Sequence, residues 1–317
     1  MNAQAPGTRG AERRAPRRWL LLVLALALVE TFGQLVVRAR VPAPEDWARA
    51  AALVREGFEP GDTIVGAPGW VDPILREQLG DLIPAAHAGR SDLAPYARVW
   101  EISSRGRTGP WTPEGDPELA QRVGALTVRR WDLGPSPVLV DLVDQLPRAA
   151  VTRGDRTCRW RRQAARGGGL FAGPLWPREA HVCGPESWLF VGETVIEDLD
   201  LMPRRCVWQH PAGNEPITTR FTDVELGERI VLHAGLYYDH ERRRLGVPVD
   251  LDVSVNGSSL GRLRHLDGDG WKRAEISIPE ALRGERGAIA IAVTSPNPDL
   301  RTLCWAATVR GPARSVE

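Results

Sequence analysis

Val249-Asp250-Leu251-Asp252-Val253-Ser254-Val255, running straight into Asn256-Gly257, decides the fold of most of this chain. Apolar residues hold every second position, and Asp or Ser hold the positions between. A strand turns successive side chains to opposite faces, so the pattern gives one buried face and one wet face. Asn-Gly is a strong hairpin signal, because both residues tolerate the positive φ of a tight two-residue turn. Working outward, strand-like runs fall at 138–142, 150–152, 157–160, 188–191, 194–198, 206–209, 218–221, 229–234, 262–266, 274–278, 288–294 and 303–309. Asp267-Gly268, Asp269-Gly270 and many prolines punctuate them. Short strands separated by turn signals predict an antiparallel, jelly-roll-like β-sandwich over residues 136–312.

The preceding stretch reads differently. Residues 41–45, Val-Pro-Ala-Pro-Glu, form a stiff linker. Asp46 is placed to cap a helix through Trp47, Ala51, Leu53 and Val54. Pro60-Gly61-Asp62 is a turn, and 63–67 a short strand. Residues 73–82 read as a helix with Ile74, Leu75, Leu79 and Leu82 on one face. A strand at 98–103, a short helix at 117–123 capped by Asp116, and a strand at 126–131 complete the set. Alternating helices and strands predict a small α/β domain at 43–135. The fold class expected for the whole chain is therefore α+β.

The N-terminus carries a membrane signal. Arg9, Arg13, Arg14, Arg17 and Arg18 mark a basic tail at 1–18, and an apolar run fills 19–37. Nineteen residues at ~1.5 Å each reach roughly 28 Å, about one hydrocarbon core. The basic flank predicts a signal anchor with its N-terminus inside and residues beyond about 40 outside the cytoplasm, in a bacterial inner membrane. A cleaved signal peptide is the alternative. Glu30 interrupts the run, with Gln34 on the same helix face. These two would contact a partner helix of a polytopic membrane protein, or else lie toward the outer interface.

The chain has 317 residues, 41 basic and 40 acidic, with a formal net charge of +1. That balance gives no electrostatic footprint for nucleic acid. Lys272 is the only lysine, so arginine clusters carry less meaning than usual. Cys158, Cys183, Cys206 and Cys304 all lie on the expected outer side, and an even count in an oxidising compartment reads as two disulfides. Zinc is the alternative, without the short paired spacings it prefers. Of three connectivities we expect Cys158–Cys183, closing the Gly167–Gly169 loop, and Cys206–Cys304, tying the first and last strands of the sandwich.

Two resemblances bear on function. "GFEPGDTIVGAPGWVDP" and "YARVWEISSRG", within residues 47–105, resemble the soluble outer domain of polytopic lipid-linked-sugar glycosyltransferases. Those enzymes have many spans and keep their catalytic acids in an early membrane-proximal loop, which this chain lacks. The resemblance therefore implies no catalytic residue here. "FTDVELGERIVLHAGL" and "VDLDVSVNGSSLG…DGDGW", within 200–310, resemble galactose-binding-like jelly-roll modules. That implies a sugar-binding surface at the level of fold.

Several motifs are weighed against blander readings. Gly257-Ser258-Ser259-Leu260-Gly261 matches the nucleophile-elbow pattern, but an elbow needs a strand, a sharp turn and a helix, and Asn256-Gly257 announces a hairpin. Asp267, Asp269 and Trp271, with His265 beside them, form the first-choice ligand contact: aromatic faces stack on sugar rings, and carboxylates accept hydroxyl hydrogen bonds. The alternatives are a calcium loop, or a glycine-rich turn followed by a core Trp. Trp208, Gln209 and His210 would line the same groove, or else Trp208 packs on a disulfide. His240-Glu241 misses the zincin pattern because Arg occupies 244. Arg153, Arg156, Arg159, Arg161, Arg162 and Arg166 form a basic patch facing anionic glycans or headgroups, or a solvated face. Asp62, Trp70, Asp72 and Arg76 are placed at the C-terminal end of the first strand, where α/β layers bind ligands. No phosphate loop, dinucleotide fingerprint or Ser-x-x-Lys motif is present, and no cofactor or metal is expected.

Three functions follow: a non-catalytic carbohydrate-binding or envelope accessory module, a glycan- or envelope-modifying enzyme using carboxylates of the sandwich loops, and a structural partner of a polytopic membrane complex. A binding role is expected over a reaction.

Overall fold

The computed structural model describes residues 16–39, 41–162 and 176–314. Arg9, Arg13, Arg14, Arg166 and the Gly167–Gly169 loop lie outside the described residues. Helix α1 (Pro16–Ala39) contains the stretch Trp19–Arg38, of mean hydropathy 2.3, none of it buried against the rest of the chain. By length and composition it is long and apolar enough to cross a membrane. Glu30 and Gln34 are both exposed on it.

A small α/β layer follows: α2 (Pro44–Gly57), β1 (Asp62–Ala67), α3 (Asp72–Leu79), α4 (Ala85–Ala88), β2 (Arg98–Ser104), β3 (Leu119–Val123) and β4 (Leu126–Asp132). The strands lie in the order β1-β2-β4-β3, with β1 parallel to β2 and the other pairs antiparallel. Trp47, Ala50, Ala51 and Val54 of α2 pack with Leu75 and Leu79 of α3 on Ile64, Trp100, Ile102 and Val128 of the sheet.

Two expectations change here. Asp46 is not the cap of α2. It sits inside the first turn, accepts the amides of Ala43 and Ala125 at 3.3 and 3.2 Å, and pairs with Arg49 at 2.5 Å. The amide of Ala125, then Arg49, hold its carboxyl below the usual carboxylate range. Residues 117–123 are not a helix either, because 119–123 form β3. Gly124, at φ +60°, turns the chain directly into β4, and ladder pairing from Val123↔Leu126 to Leu119↔Arg130 replaces intrahelical bonds. A Cβ at Gly124 would lie 2.0 Å from the Asp46 carboxylate, so glycine is required twice over.

The rest is a sandwich of β5 (Val138–Asp141), β6 (Ala150–Arg153), β7 (Arg156–Thr157), β8 (Arg159–Arg162), β9 (Glu179–Val182), β10 (Phe190–Glu197), β11 (Pro203–Gln209), β12 (Ile217–Glu225), β13 (Arg229–Leu236), α5 (Tyr238–Glu241), β14 (Val249–Val255), β15 (Ser258–His265), β16 (Lys272–Ser277), β17 (Arg286–Thr294) and β18 (Leu303–Arg310). One sheet runs β16-β13-β18-β11-β10-β9-β8, with β5 also pairing β18; the other runs β15-β14-β17-β12-β6-β7. The fold class is α+β, with an antiparallel β-sandwich as its larger part. The alternation of β14 is kept: Val249, Leu251, Val253 and Val255 are fully buried and the residues between are half-buried. Asn256 and Gly257 take φ of +50° and +85° and form the hairpin. The two expected strands at 188–191 and 194–198 are one strand, β10; β9 and α5 were not foreseen.

Both expected pairings form, though Cys206 lies on β11 and not on the first strand of the sandwich, β5. Cys206–Cys304 joins neighbouring strands β11 and β18, where Trp208 faces Cys304 across the ladder. Cys158–Cys183 joins the β7–β8 junction to the end of β9, where the chain passes from one sheet to the other.

Segment 89–96 of the α/β layer seats on the larger sheet. The Arg205 amide donates to Gly89 O at 2.7 Å, Arg204 Nη1 to Arg90 O at 2.8 Å, and Arg310 pairs with Asp92 at 2.5 Å. The Arg204 guanidinium stands 5.3 Å from the ring of Trp111 and 5.6 Å from that of Trp271.

Candidate functional site: an aromatic cleft at one end of the sandwich

Alternation along β11 creates the site. Val207 points into the core between the sheets, while Cys206 and Trp208 point outward. There they join Phe190, Ile196 and Cys304 in a second small core, flanked by Trp176, Trp188 and Trp271. The end of β11, the start of β10, the end of β13 and the start of β18 all meet at one end of the larger sheet. The segments leaving that end enclose a cleft of about 420 Å³, walled by Trp176, Trp188, Trp208, His210, Tyr237 and His240, with the 298–302 loop opposite.

Trp208 is only 6% exposed and stacks on Phe190, with centroids 5.3 Å apart and rings 14° from parallel. Its Nε1 donates to Trp188 O at 3.1 Å. It forms the floor of the cleft and packs on the disulfide; the cleft is not the groove expected around the Asp267–Trp271 turn. Half-buried Trp188 and Trp176 supply the open ring surface. Trp188 lies 4.4 Å from the His210 ring, and Trp176 lies 6.5 Å from Trp208.

Apart from Asp299, the polar side chains of the cleft are neutral hydrogen-bonding groups. His210 Nδ1 lies 2.9 Å from Pro211 O and donates to it, which leaves Nε2 as an acceptor. Burial holds the pKa of His210 down to about 4, so the ring is uncharged at neutral pH. His240 Nδ1 meets Thr302 Oγ1 at 2.7 Å, and its pKa is lowered by burial and by Arg243. Burial, with Tyr238 beside it, pushes the Tyr237 phenol up to about 12. Among the described residues lining the cleft, Asp299 is the one carboxylate. General acid–base cleavage of a glycoside uses two carboxylates across the bond.

The other expected ligand residues are elsewhere. None of His265, Asp267, Asp269 or Trp271 lines the cleft. Asp267 pairs with fully buried Arg301 at 2.6 Å and accepts the Gly246 amide at 2.9 Å. His265 is fully buried, its Nε2 2.9 Å from Gly270 O. Glu241, also fully buried, accepts the amides of Gly268 and Gly270, and burial raises its pKa. Asp269 pairs with Lys272 at 2.8 Å and accepts the Leu266 amide. Trp271 stands parallel to His233, 6° apart at 6.5 Å, between the sandwich and the α/β layer. The turn is thus held closed by Arg301 and Glu241 from other segments and by Lys272 beside it.

Further placements bear on the sequence reading. Gln209 faces the core, where it accepts from Trp305 Nε1 at 3.0 Å and Thr219 Oγ1 at 2.8 Å. Ser259 is exposed on β15, part of a hairpin and not of an elbow. Asp62 lies at the N-terminal end of β1, buried against Arg98 at 2.7 Å and Trp100 Nε1 at 2.9 Å, away from Trp70. Arg153 and Arg156 share Glu215. Among the described residues no group of three or more His, Cys, Asp or Glu is arranged to hold a metal. Sequence reasoning missed Trp176, Trp188, Tyr237 and Thr302, and considered His240 only for zinc. Their one signal was aromatic density in turns.

No protein-family model and no curated protein matches the chain. Among solved structures, CBM51-2 and INT domains of ZmpB from Clostridium perfringens overlap at TM-score 0.31 and 11% identity, over 51% of this chain and 29% of that one. CBM51 from the Clostridium perfringens GH95, in complex with methyl-galactose, overlaps at 0.27 and 6%, over 37% and 80%. The tandem CBM51 modules of Sp3GH98, a family 98 glycoside hydrolase from Streptococcus pneumoniae, overlap at 0.29 and 12%, over 60% and 56%. The chain spans less than a third of the first of these. At such scores the site must be read from its own residues.

Proposed function

We propose that this chain is a membrane-anchored, extracytoplasmic glycan-binding protein, non-catalytic, with its ligand seated in the Trp176–Trp188–Trp208 cleft. The observation that carries the reading is the cleft's chemistry. Sugar rings offer apolar C–H faces and a belt of hydroxyls. Aromatic walls suit the first, and His210, His240 and Thr302 suit the second without a charge to desolvate. The volume of 420 Å³ falls in the range of small-ligand sites, about 300–1,000 Å³. The one carboxylate among the described lining residues favours binding over glycoside cleavage. Helix α1, as the anchor, would hold this surface outside the membrane.

The test uses the full chain in detergent micelles, titrated calorimetrically with a panel of pyranose mono- and disaccharides. Trp188→Ala removes a ring while keeping the backbone carbonyl that holds Trp208. It is expected to weaken binding about tenfold, or ~1.4 kcal/mol, with little change in melting temperature. Wild-type affinity in this variant, or no binding anywhere in the panel, overturns the reading.

A further inference from the structure

The cleft does not end at Trp176. The other face of that residue's surroundings opens into a groove of about 790 Å³, lined also by Trp160, Arg162, Arg178, Glu179 and Glu193. Trp176 lines both spaces. Trp160 is 37% exposed and is braced by His181, with centroids 4.7 Å apart. The groove thus repeats the element that makes the cleft a sugar site, an accessible indole held in place.

Its charge differs from that of the cleft. Both lining carboxylates already have arginines: Glu179 lies 3.2 Å from Arg162, and Glu193 lies 2.6 Å from Arg205. Arg178 has no ion pair among the described residues; Arg159 and Arg161 of β8 alternate to the face opposite Trp160 and Arg162 and do not line the groove. All of β8 is exposed, at the edge of the larger sheet. The groove therefore carries one guanidinium, that of Arg178, without an ion pair among the described residues, and its planar fork matches carboxylate and sulfate oxygens.

We infer that the ligand is an acidic glycan chain, bearing uronate groups, which runs from the cleft across Trp176 into the groove, where Trp160 stacks on a further sugar and Arg178 meets its carboxylate. This rests on the proposed reading of the cleft and adds length and charge to it. The cleft holds one end, and the groove supplies the preference for an acidic, extended chain over a neutral or short one.

The experiment titrates the full chain in micelles with matched pairs, galactose with galacturonate and glucose with glucuronate, each as monomer and as hexamer, at low and high salt. One uronate hexamer is expected to bind at least tenfold tighter than its neutral counterpart and than its own monomer, with the acid preference fading at high salt. Arg178→Ala should abolish the acid preference. Trp160→Ala should abolish the gain from length. Both should leave monomer binding and melting temperature as in the wild type. Trp188-dependent binding that ignores acid or length, or a preference untouched by Arg178→Ala, overturns this inference and leaves the cleft standing. An absence of any Trp188-dependent binding overturns the cleft as well.

Discussion

Trp271 shows how one side chain can satisfy two readings until its surroundings are known. An indole beside two aspartates and a histidine suits a sugar, and it suits packing equally well. Its neighbours decide for packing: Arg204 lies over the ring at 5.6 Å, His233 stacks at 6.5 Å, and Gly235 lies directly beneath. A Cβ on Gly235 would come within 2.7 Å of Trp271 Cε3, so the ring uses the space that glycine vacates. Trp271→Ala is therefore expected to lower stability by about 3 kcal/mol in urea denaturation while glycan affinity stays unchanged. Intact stability with lost binding would return the Asp267–Trp271 turn to the ligand. At the cleft, Trp208 is the converse case. Its edge is available, but its face belongs to Phe190 and the disulfide.

At the scale of elements, the decisive pair is β11 and β18. Their adjacency places Cys206 and Cys304 within disulfide reach and brings the 298–302 loop opposite His210. The bridge closes a loop of 98 residues in sequence separation, for which the chain-entropy model gives ~4.7 kcal/mol. Cys158–Cys183 closes 25, for which the same model gives ~3.5 kcal/mol. The double variant Cys206→Ala/Cys304→Ala should thus lose more stability than Cys158→Ala/Cys183→Ala, read as the difference in urea midpoint. It should also loosen Trp208 and lower glycan affinity. Equal stability of the first variant and wild type would show that strand packing alone holds this end of the sandwich.

Over the whole molecule, helix α1, the α/β layer and the sandwich follow in chain order, and the layer is fixed to the sandwich by Arg310–Asp92, Arg204–Arg90 and the Trp111–Arg204–Trp271 stack. Those contacts set how the cleft end of the sandwich lies relative to the α/β layer. The arginine flank and apolar run of the N-terminus predict an outward-facing C-terminal part. Alkaline phosphatase fused after Pro60 should be active in bacterial cells. Activity only from a cytoplasmic reporter at the same position would reverse the topology and remove the proposed glycan-binding cleft from the outside.

What the sequence determined by itself is what depends on local period and local chemistry. The Val249–Val255 alternation, the Asn256-Gly257 turn and the apolar run before Arg38 each state their structure within a few residues, because strand pleat, turn dihedrals and membrane thickness are short-range constraints. The α+β class followed from them. The tertiary structure decided everything that depends on which strands become neighbours. Residues 117–123 carry helix-start signals, yet pairing with β4 makes 119–123 a strand. His265 and Asp267 look free in sequence, yet meet Glu241 and Arg301 from distant segments. Trp176, Trp188, Tyr237 and His240 are scattered over some sixty residues, and they converge only because the ends of β10, β11, β13 and β18 lie side by side. Sheet order is fixed by summed long-range burial, which no short window of sequence contains.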